Sequence, residues 1–456
     1  MLNIVDQFGT ASRIFLTSMW QAGFNHPTLV LEDDGYLPEN VFSVYQYFMG
    51  EIDQNFNLNQ QIRTARPLYF NEVPVPRFWE ISADNHSGQI HEGHHLRGKI
   101  FYAEPLHLRL VKRVDWYDET GNVRLVDCYN KFGRKFGEMI FDADQKPVHT
   151  IYYHLDGFEA IVFNHVTQDV ILNYQGQTYK FNDYLALVRF YLDECAINQE
   201  EIIFNSLSYC FFVAHTRKQA KRNILFWQEG IGDHLPGNML TMLASNHYQS
   251  DIIIANPVTY QKILSLVDPA YQRNIHLLGY CYPHAIKVKK GQNILIFTNS
   301  DQIEQLDKIV HALPQLEFQI GAITEMSSKL MALEQIENVQ LHPNLTQDKI
   351  NELWEHGDIY LDINRGNEIL AAVETAYLQN LVIFAFEETM HNGDYIAGQH
   401  RFRLDQVDQL IERLDQVSQD DQQAQLARDR QRVHANEISV KEFQTGLKGV
   451  LQREEA

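Results

Sequence analysis

Trp227, Gln228 and Glu229 stand in succession at the end of the apolar run 224–227, which reads as a buried strand. Open α/β sheets bind ligands at such strand ends, and an indole face beside an amide and a carboxylate suits stacking on a sugar or peptide. The same residues also read as a packed aromatic next to a surface acid, and the sequence leaves the two readings level. Asp362 and Asn364 close another apolar run, and His391 and Asp394 occupy the loop after a third. For each of these four a structural role is the simpler reading, with ligand contact as the alternative. Asp142 and Asp144 have a D-x-D spacing that can hold a metal, but they fall in an expected hairpin turn, where Asp is favoured for its local hydrogen bonds. His91, His94 and His95 lie in an irregular polar stretch without a nearby carboxylate set, so no metal is expected there. No G-x-G-x-x-G, G-x-S-x-G or Walker-type loop occurs, which argues against dinucleotide, hydrolase and nucleoside-triphosphatase chemistry. No cofactor is expected.

The chain that must position these residues has 456 residues, enough for two or three domains with cores of their own. Its 26 Phe and 22 Tyr argue against disorder. A formal charge of −21 sets up a negative potential that repels phosphate backbones, so nucleic acid is not an expected partner. The same field opposes anionic lipid headgroups. Cys128, Cys195, Cys210 and Cys281 are widely spaced, which fits reduced thiols. With no signal-like start and no apolar run approaching a membrane span, a cytoplasmic protein is expected.

Three textures follow one another. Residues 1–70 read as a fragment of α/β structure, with strands at 2–5 and 28–32 around a helix at 12–22 that Gly23 ends. From about 97 to 181 short β-rich runs alternate with turn residues such as Asp118-Glu-Thr-Gly121 and Leu155-Asp-Gly157, the signature of an antiparallel meander. After 182 strands alternate with helices again, which implies a parallel sheet. The simplest assembly makes 1–70 and 182–288 one Rossmann-like domain, interrupted by an inserted β-sheet domain at 71–181. A second α/β domain covers 289–456, after a boundary near 283–291 that carries Lys287, Lys289 and Lys290. Its first helix is expected to start at an Asp301 to Glu304 capping box, with Ile303 on the apolar face. Thr346 is expected to cap a helix that Gly357 stops, and a helix is expected near 368–379.

Two Rossmann-like domains facing a cleft are the architecture of GT-B glycosyltransferases. Within that class the chain resembles the accessory-Sec glycosyltransferase-stabilising (GtfB) family, through Trp227-Gln-Glu229 with Leu235-Pro-Gly-Asn-Met239, Gly321-Ala-Ile-Thr-Glu-Met326, Asp358-Ile-Tyr-Leu-Asp-Ile-Asn364 and His434-Ala-Asn436. Val73-Pro-Val-Pro76, Phe78-Trp-Glu80 and Asn164-His-Val-Thr167 extend the match over nearly the whole chain. The resemblance implies a subunit that pairs with a catalytic GtfA-type glycosyltransferase, the two together placing N-acetylglucosamine on Ser and Thr of serine-rich repeat adhesins before export. It also implies peripheral association with the inner face of the membrane, against the acidic charge. Under it Trp227, Gln228, Glu229, Asp362, Asn364 and His391 become the expected acceptor-binding residues, and the meander strands at 108–117 and 125–129 the expected interface.

Retaining GT-B enzymes present an Arg and, five residues later, a Lys to the donor diphosphate, cations that stabilise the leaving group. This chain carries Asn299 and Glu304 there. Of the paired glutamates seven residues apart near the ribose, Glu374 fits the second while Gly366 occupies the first; Glu368 is too close to Glu374 to replace it. A degenerate donor site is therefore expected. The alternatives are a retaining GT-B transferase with an unorthodox donor site, and a purely structural chaperone that never touches the acceptor.

Overall fold

A computed structural model describes residues 1–195, 197–286 and 292–453. The chain divides into two compact units. One comprises Met1–Leu16 and Phe24–Leu277 with the end of the chain from Gly449; the other comprises Thr17–Gly23 and Leu278–Lys448.

The first unit holds two sheets. Seven parallel strands lie in the order Ile275–Leu277, Gln249–Ile254, Arg222–Trp227, Glu201–Phe204, Leu2–Gln7, Thr28–Glu32, Val41–Ser43. Arg222–Trp227 is buried along its whole length, as expected of a strand covered on both faces. The second sheet is a ten-stranded antiparallel meander running in chain order from Glu80–Ala83 to Gln177–Phe181. Its turns are tight. Tyr174 pairs with Gln177 across Gln175 and Gly176, both at positive φ, the geometry that matches the strand twist in a two-residue hairpin. Asp142 accepts main-chain bonds from Asp144 at 2.9 Å and Lys146 at 2.9 Å, so the D-x-D pair shapes a turn.

The two sheets share a core. Ala160, Ile161, Val170 and Leu172 of the meander are buried with Leu29, Tyr45, Phe48 and Tyr191. Tyr45, on the helix Val44–Phe48, packs on the meander, its ring centroid 4.5 Å from Tyr152, and on the helix Tyr184–Glu194, 5.8 Å from Tyr184. Near this contact lie two carboxyls, Asp33 half-buried and Glu51 buried. Ser43 Oγ donates to Asp33 at 2.5 Å, and Asn130 Nδ2 donates to Glu51 at 2.7 Å. Burial pushes Asp33 up to about 6 and Glu51 up to about 7.

The second unit carries six parallel strands in the order Val339–His342, Glu317–Gly321, Asn293–Phe297, Ile359–Asp362, Val382–Phe386, Arg401–Phe402. The helix Val407–Gln419, the first of three at the C-terminal end, buries Val407, Leu410, Leu414 and Val417 against this unit's core. Thr346 caps Gln347–His356 and Gly357 follows it, as the sequence indicates. The four cysteines are free. Among the described residues no helix is long and apolar enough to cross a membrane.

Several expectations are corrected. The helix after Phe297 starts at Leu306, with Gln305 left-handed at its cap. Asp301 to Glu304 is loop, because Ile303 and Glu304 are drawn into main-chain pairing with residues 363 and 364. The helix expected near 368–379 begins at Ala372, since Leu370 and Ala371 are both at positive φ. The meander starts earlier than 97: Glu80–Ala83 and Ser87–Glu92 precede His95–Tyr102, so His91 sits in a strand rather than an irregular stretch. Val111–Tyr117 and Val123–Tyr129 are interior strands, each paired on both sides, so neither has an edge to offer a partner. The boundary residues Lys287, Lys289 and Lys290 lie outside the described residues.

Candidate functional site

In the second unit the strand order reverses between Asn293–Phe297 and Ile359–Asp362, and ligands of open α/β sheets bind in the crevice beyond such a switch point. The residues there are the ones compared with a donor site above. After Phe297 the chain turns tightly: Thr298 Oγ1 donates to Ser300 O at 2.7 Å and accepts from Ser300 N at 3.0 Å. The following loop then pairs with the loop after Asp362. Glu304 N donates to Ile363 O at 2.8 Å, Arg365 N donates to Gln302 O at 2.8 Å, and Ile303 bridges Asn364. The Arg365 guanidinium forms an ion pair with Glu304. Asn299 closes the space beside Gly366, where an added Cβ would lie 2.3 Å from Asn299 Oδ1.

His391 locks the other side. Its Nδ1 donates to Asp362 Oδ1 at 2.5 Å, its Nε2 to Gly366 O at 2.7 Å, and its main-chain N to Asp362 Oδ2 at 2.8 Å. Asp362 is fully buried, and its hydrogen bond to His391 pushes the imidazole up to about 9. The ring is thus an imidazolium at neutral pH with both N–H groups engaged. Glu368 accepts from Val373 N at 2.8 Å and serves the start of Ala372–Leu378, whose first turn carries Glu374; burial raises the Glu368 carboxyl. Asn364 is 1% exposed, and neither polar atom of its side chain has a partner among the described residues.

The chemistry available follows from these contacts. Among the described residues Arg365 is committed to Glu304 and His391 to Asp362, while Lys329, which donates to Asp301 O at 3.4 Å, lines a neighbouring cavity with Asp301 and Glu304. The adjacent cavity of about 340 Å³, between Asn299 and the 322–327 segment, is lined by Asp301 and Glu325 and by no Lys or Arg among the described residues. A diphosphate placed there meets carboxylates without free counter-charge. Arg365 was missed by the sequence reading, and Asp301 was read only as a helix cap. Their signal was adjacency to Asn364 and Asn299, but nothing in the sequence paired Arg365 with Glu304 across sixty-one positions.

In the first unit the order reverses between Leu2–Gln7 and Glu201–Phe204. Gln228 belongs to this crevice: its Nε2 donates to Ala11 O at 2.9 Å, and its Oε1 accepts from Asn205 Nδ2 at 3.1 Å. Asn205 also donates to Ser12 Oγ at 3.1 Å. Asn205 and Ser12 were not singled out from the sequence, although Asn205 follows a strand that ends at the switch point. Glu229 is exposed, while Trp227 is 5% exposed and belongs to the core. Of the two readings left level for Trp227, this geometry supports packing. Among the described residues no group of His, Cys, Asp and Glu is arranged to hold a metal.

Four family models match most of the chain in sequence order. Residues 2–48 match the GtfB N-terminal domain, 79–182 the GtfB middle domain, 184–266 the GtfB third domain, and 294–431 the GftB/GlyA-F C-terminal domain. The UDP-N-acetylglucosamine–peptide N-acetylglucosaminyltransferase stabilizing protein GtfB of Streptococcus gordonii is 38% identical over 99% of this chain and 99% of its own. A chain in a crystal structure of a GtfA/B complex bound to UDP and GlcNAc is 39% identical, with a TM-score of 0.91 over 99% of this chain and 100% of that one. The pneumococcal O-GlcNAc transferase GtfA, 13% identical with a TM-score of 0.51 over 99% of both chains, shares the GT-B-like fold alone. With full-length relatives at this identity and four family domains in order between residues 2 and 431, the chain belongs to the GtfB family of glycosyltransferase-stabilising proteins.

Proposed function

We propose that this protein is the non-catalytic, acceptor-presenting partner of a GtfA-type peptide N-acetylglucosaminyltransferase, acting in the cytoplasm on a Ser/Thr-rich adhesin before export and associating peripherally with the membrane. One observation carries the non-catalytic part: the switch-point crevice of the second unit is closed by main-chain pairing and by the Arg365 to Glu304 ion pair. A transferase needs that crevice open and its cations free to meet the leaving diphosphate. The gain to the partner would come from holding the acceptor at high local concentration. Candidate acceptor contacts are Gln228 and the exposed Glu229, which follow a strand that ends at the sheet edge of the first unit.

The partner would dock on a face of the meander. Across that sheet Trp116 lies opposite Leu125, Leu125 opposite Ile140 and Ile140 opposite His149, a row of partly exposed side chains on one face. Co-purification with the transferase and a glycosylation assay with and without this chain test the reading. Catalysis by this chain alone on a UDP-sugar would overturn it in favour of an active transferase. Partner stabilisation with no acceptor binding would leave the purely structural chaperone.

A further inference from the structure

A second cavity, of about 480 Å³, lies within the first unit, where the tips of two meander hairpins meet the loop that follows Val44–Phe48. Its size is in the range of small-ligand sites. Phe158 is 46% exposed, and the parallel His154 ring 4.5 Å away backs it. Tyr174 forms a second wall, steadied by Tyr47 Oη at 2.9 Å and Gln175 Nε2 at 2.9 Å. The third wall is the loop carrying the exposed amides of Gln54 and Asn55.

That loop is held in shape. Asp53 accepts from Asn55 N at 2.7 Å, Asn57 N at 2.9 Å and Asn57 Nδ2 at 3.0 Å. Leu155 N donates to Met49 O at 2.9 Å, which ties one hairpin to the loop base. Gly50 lies between them at φ +77°, and a Cβ there would come within 2.5 Å of His154 Nε2. No side chain other than hydrogen fits without displacing the wall.

The lining selects a ligand class. It contains no Lys or Arg among the described residues and one carboxylate, so phosphates and nucleotides meet no counter-charge. A purely apolar ligand would cover planar amides without satisfying them. A pyranose ring has an apolar C–H face for an aromatic wall and a rim of hydroxyls for amides. We propose that this cavity is a binding subsite for a neutral sugar residue. That the sugar is an N-acetylglucosamine already attached to the acceptor rests on the function proposed above; the sugar class itself rests on the cavity.

The test uses the complex of this chain with its transferase, without donor. The probes are a Ser/Thr-rich peptide carrying one N-acetylglucosamine, the same peptide unmodified, and methyl N-acetylglucosaminide as competitor. The glycopeptide should bind several-fold tighter than the bare peptide, and the methyl glycoside should abolish that difference. Phe158→Ala and Asn55→Ala should each erase most of that several-fold preference while bare-peptide binding stays level. Asn55 is exposed and its side chain supports no packing, so this variant keeps the test decisive if Phe158→Ala melts early. Equal affinity for the two peptides, or a glycopeptide preference that survives Asn55→Ala in a chain of native melting temperature, overturns the subsite. Failure of the proposed function reads out separately, as no effect of this chain on glycosylation of the bare peptide.

Discussion

At Glu304 and Arg365 an ion pair occupies the place where a transferase would need free cations, and its two side chains are 25% and 44% exposed. A pair this exposed contributes little to stability, so its consequence is electrostatic. Calorimetric titration of the isolated chain with UDP-N-acetylglucosamine should show no measurable binding, and Glu304→Gln should leave the loop pairing intact while releasing Arg365. Weak UDP binding gained by that variant, and none by the parent, is the expected result; tight binding by the parent would contradict the closed crevice. Asp362 and His391 behave differently because Asp362 is fully buried. Asp362→Asn strips the imidazolium of its counter-charge and should cost about 3 kcal/mol, read as a lower melting temperature. The His391 pKa is raised from 6.5 to about 9, so the pair stabilises the fold fully below about pH 6.5, and that contribution fades as pH rises through about 9. Asp33 and Glu51 act in a lower window. Their folded pKa values, about 6 and about 7, lie above the ordinary 3.8 and 4.5, so the folded chain keeps protons that the unfolded chain releases. Stability should therefore fall as pH rises from about 4 to about 7, and Glu51→Gln should flatten the upper part of that curve in denaturant titrations at several pH values.

At the scale of elements the meander is the part whose placement changes the experiment. Strands 108–117 and 125–129 were expected to lend an edge to the partner, but hairpin order puts them inside the sheet, with Glu80–Ala83 and Gln177–Phe181 at its ends. Edge pairing is not available to them, so docking through these strands must use side chains on a face. Leu125→Arg and Ile140→Arg place charge in the partly exposed row and should abolish co-purification with the transferase while the isolated chain keeps its melting temperature. Retained association would move the interface off this face. The short strands Val41–Ser43 and Arg401–Phe402 escaped the sequence reading because three and two residues carry no usable alternation. The loop at 301–304 was misread as a helix start for a different reason: its capping pattern is real as a local preference, but main-chain bonds to residues 363 and 365 outcompete it.

Over the whole molecule, Trp227 shows how far strand-end logic reaches. The sequence places Trp227, Gln228 and Glu229 at the end of a buried strand, and there they are. Which of them faces solvent depends on the turn that follows, and Trp227 goes into the core with Leu225, Met239 and Ile254. Trp227→Ala should cost about 3–5 kcal/mol in stability, measured by denaturant unfolding. Acceptor binding is better probed at Glu229, whose removal leaves the core untouched.

The sequence by itself determined the α/β class, the antiparallel insertion, most long helices and strands, and that Asn299 and Glu304, neither of them a cation, follow the strand ending at Phe297. These are properties of periodicity, turn chemistry and residue type, which need only neighbours along the chain. Only the tertiary structure decided that Glu304 meets Arg365, that His391 meets Asp362, and that Gln228 joins Asn205 and Ser12. It alone also decided that Phe158, Tyr174 and Asn55 surround one cavity. Each of these juxtapositions joins segments that are distant in sequence. They are set by the order of parallel strands and the register of hairpins, and no local pattern encodes either one.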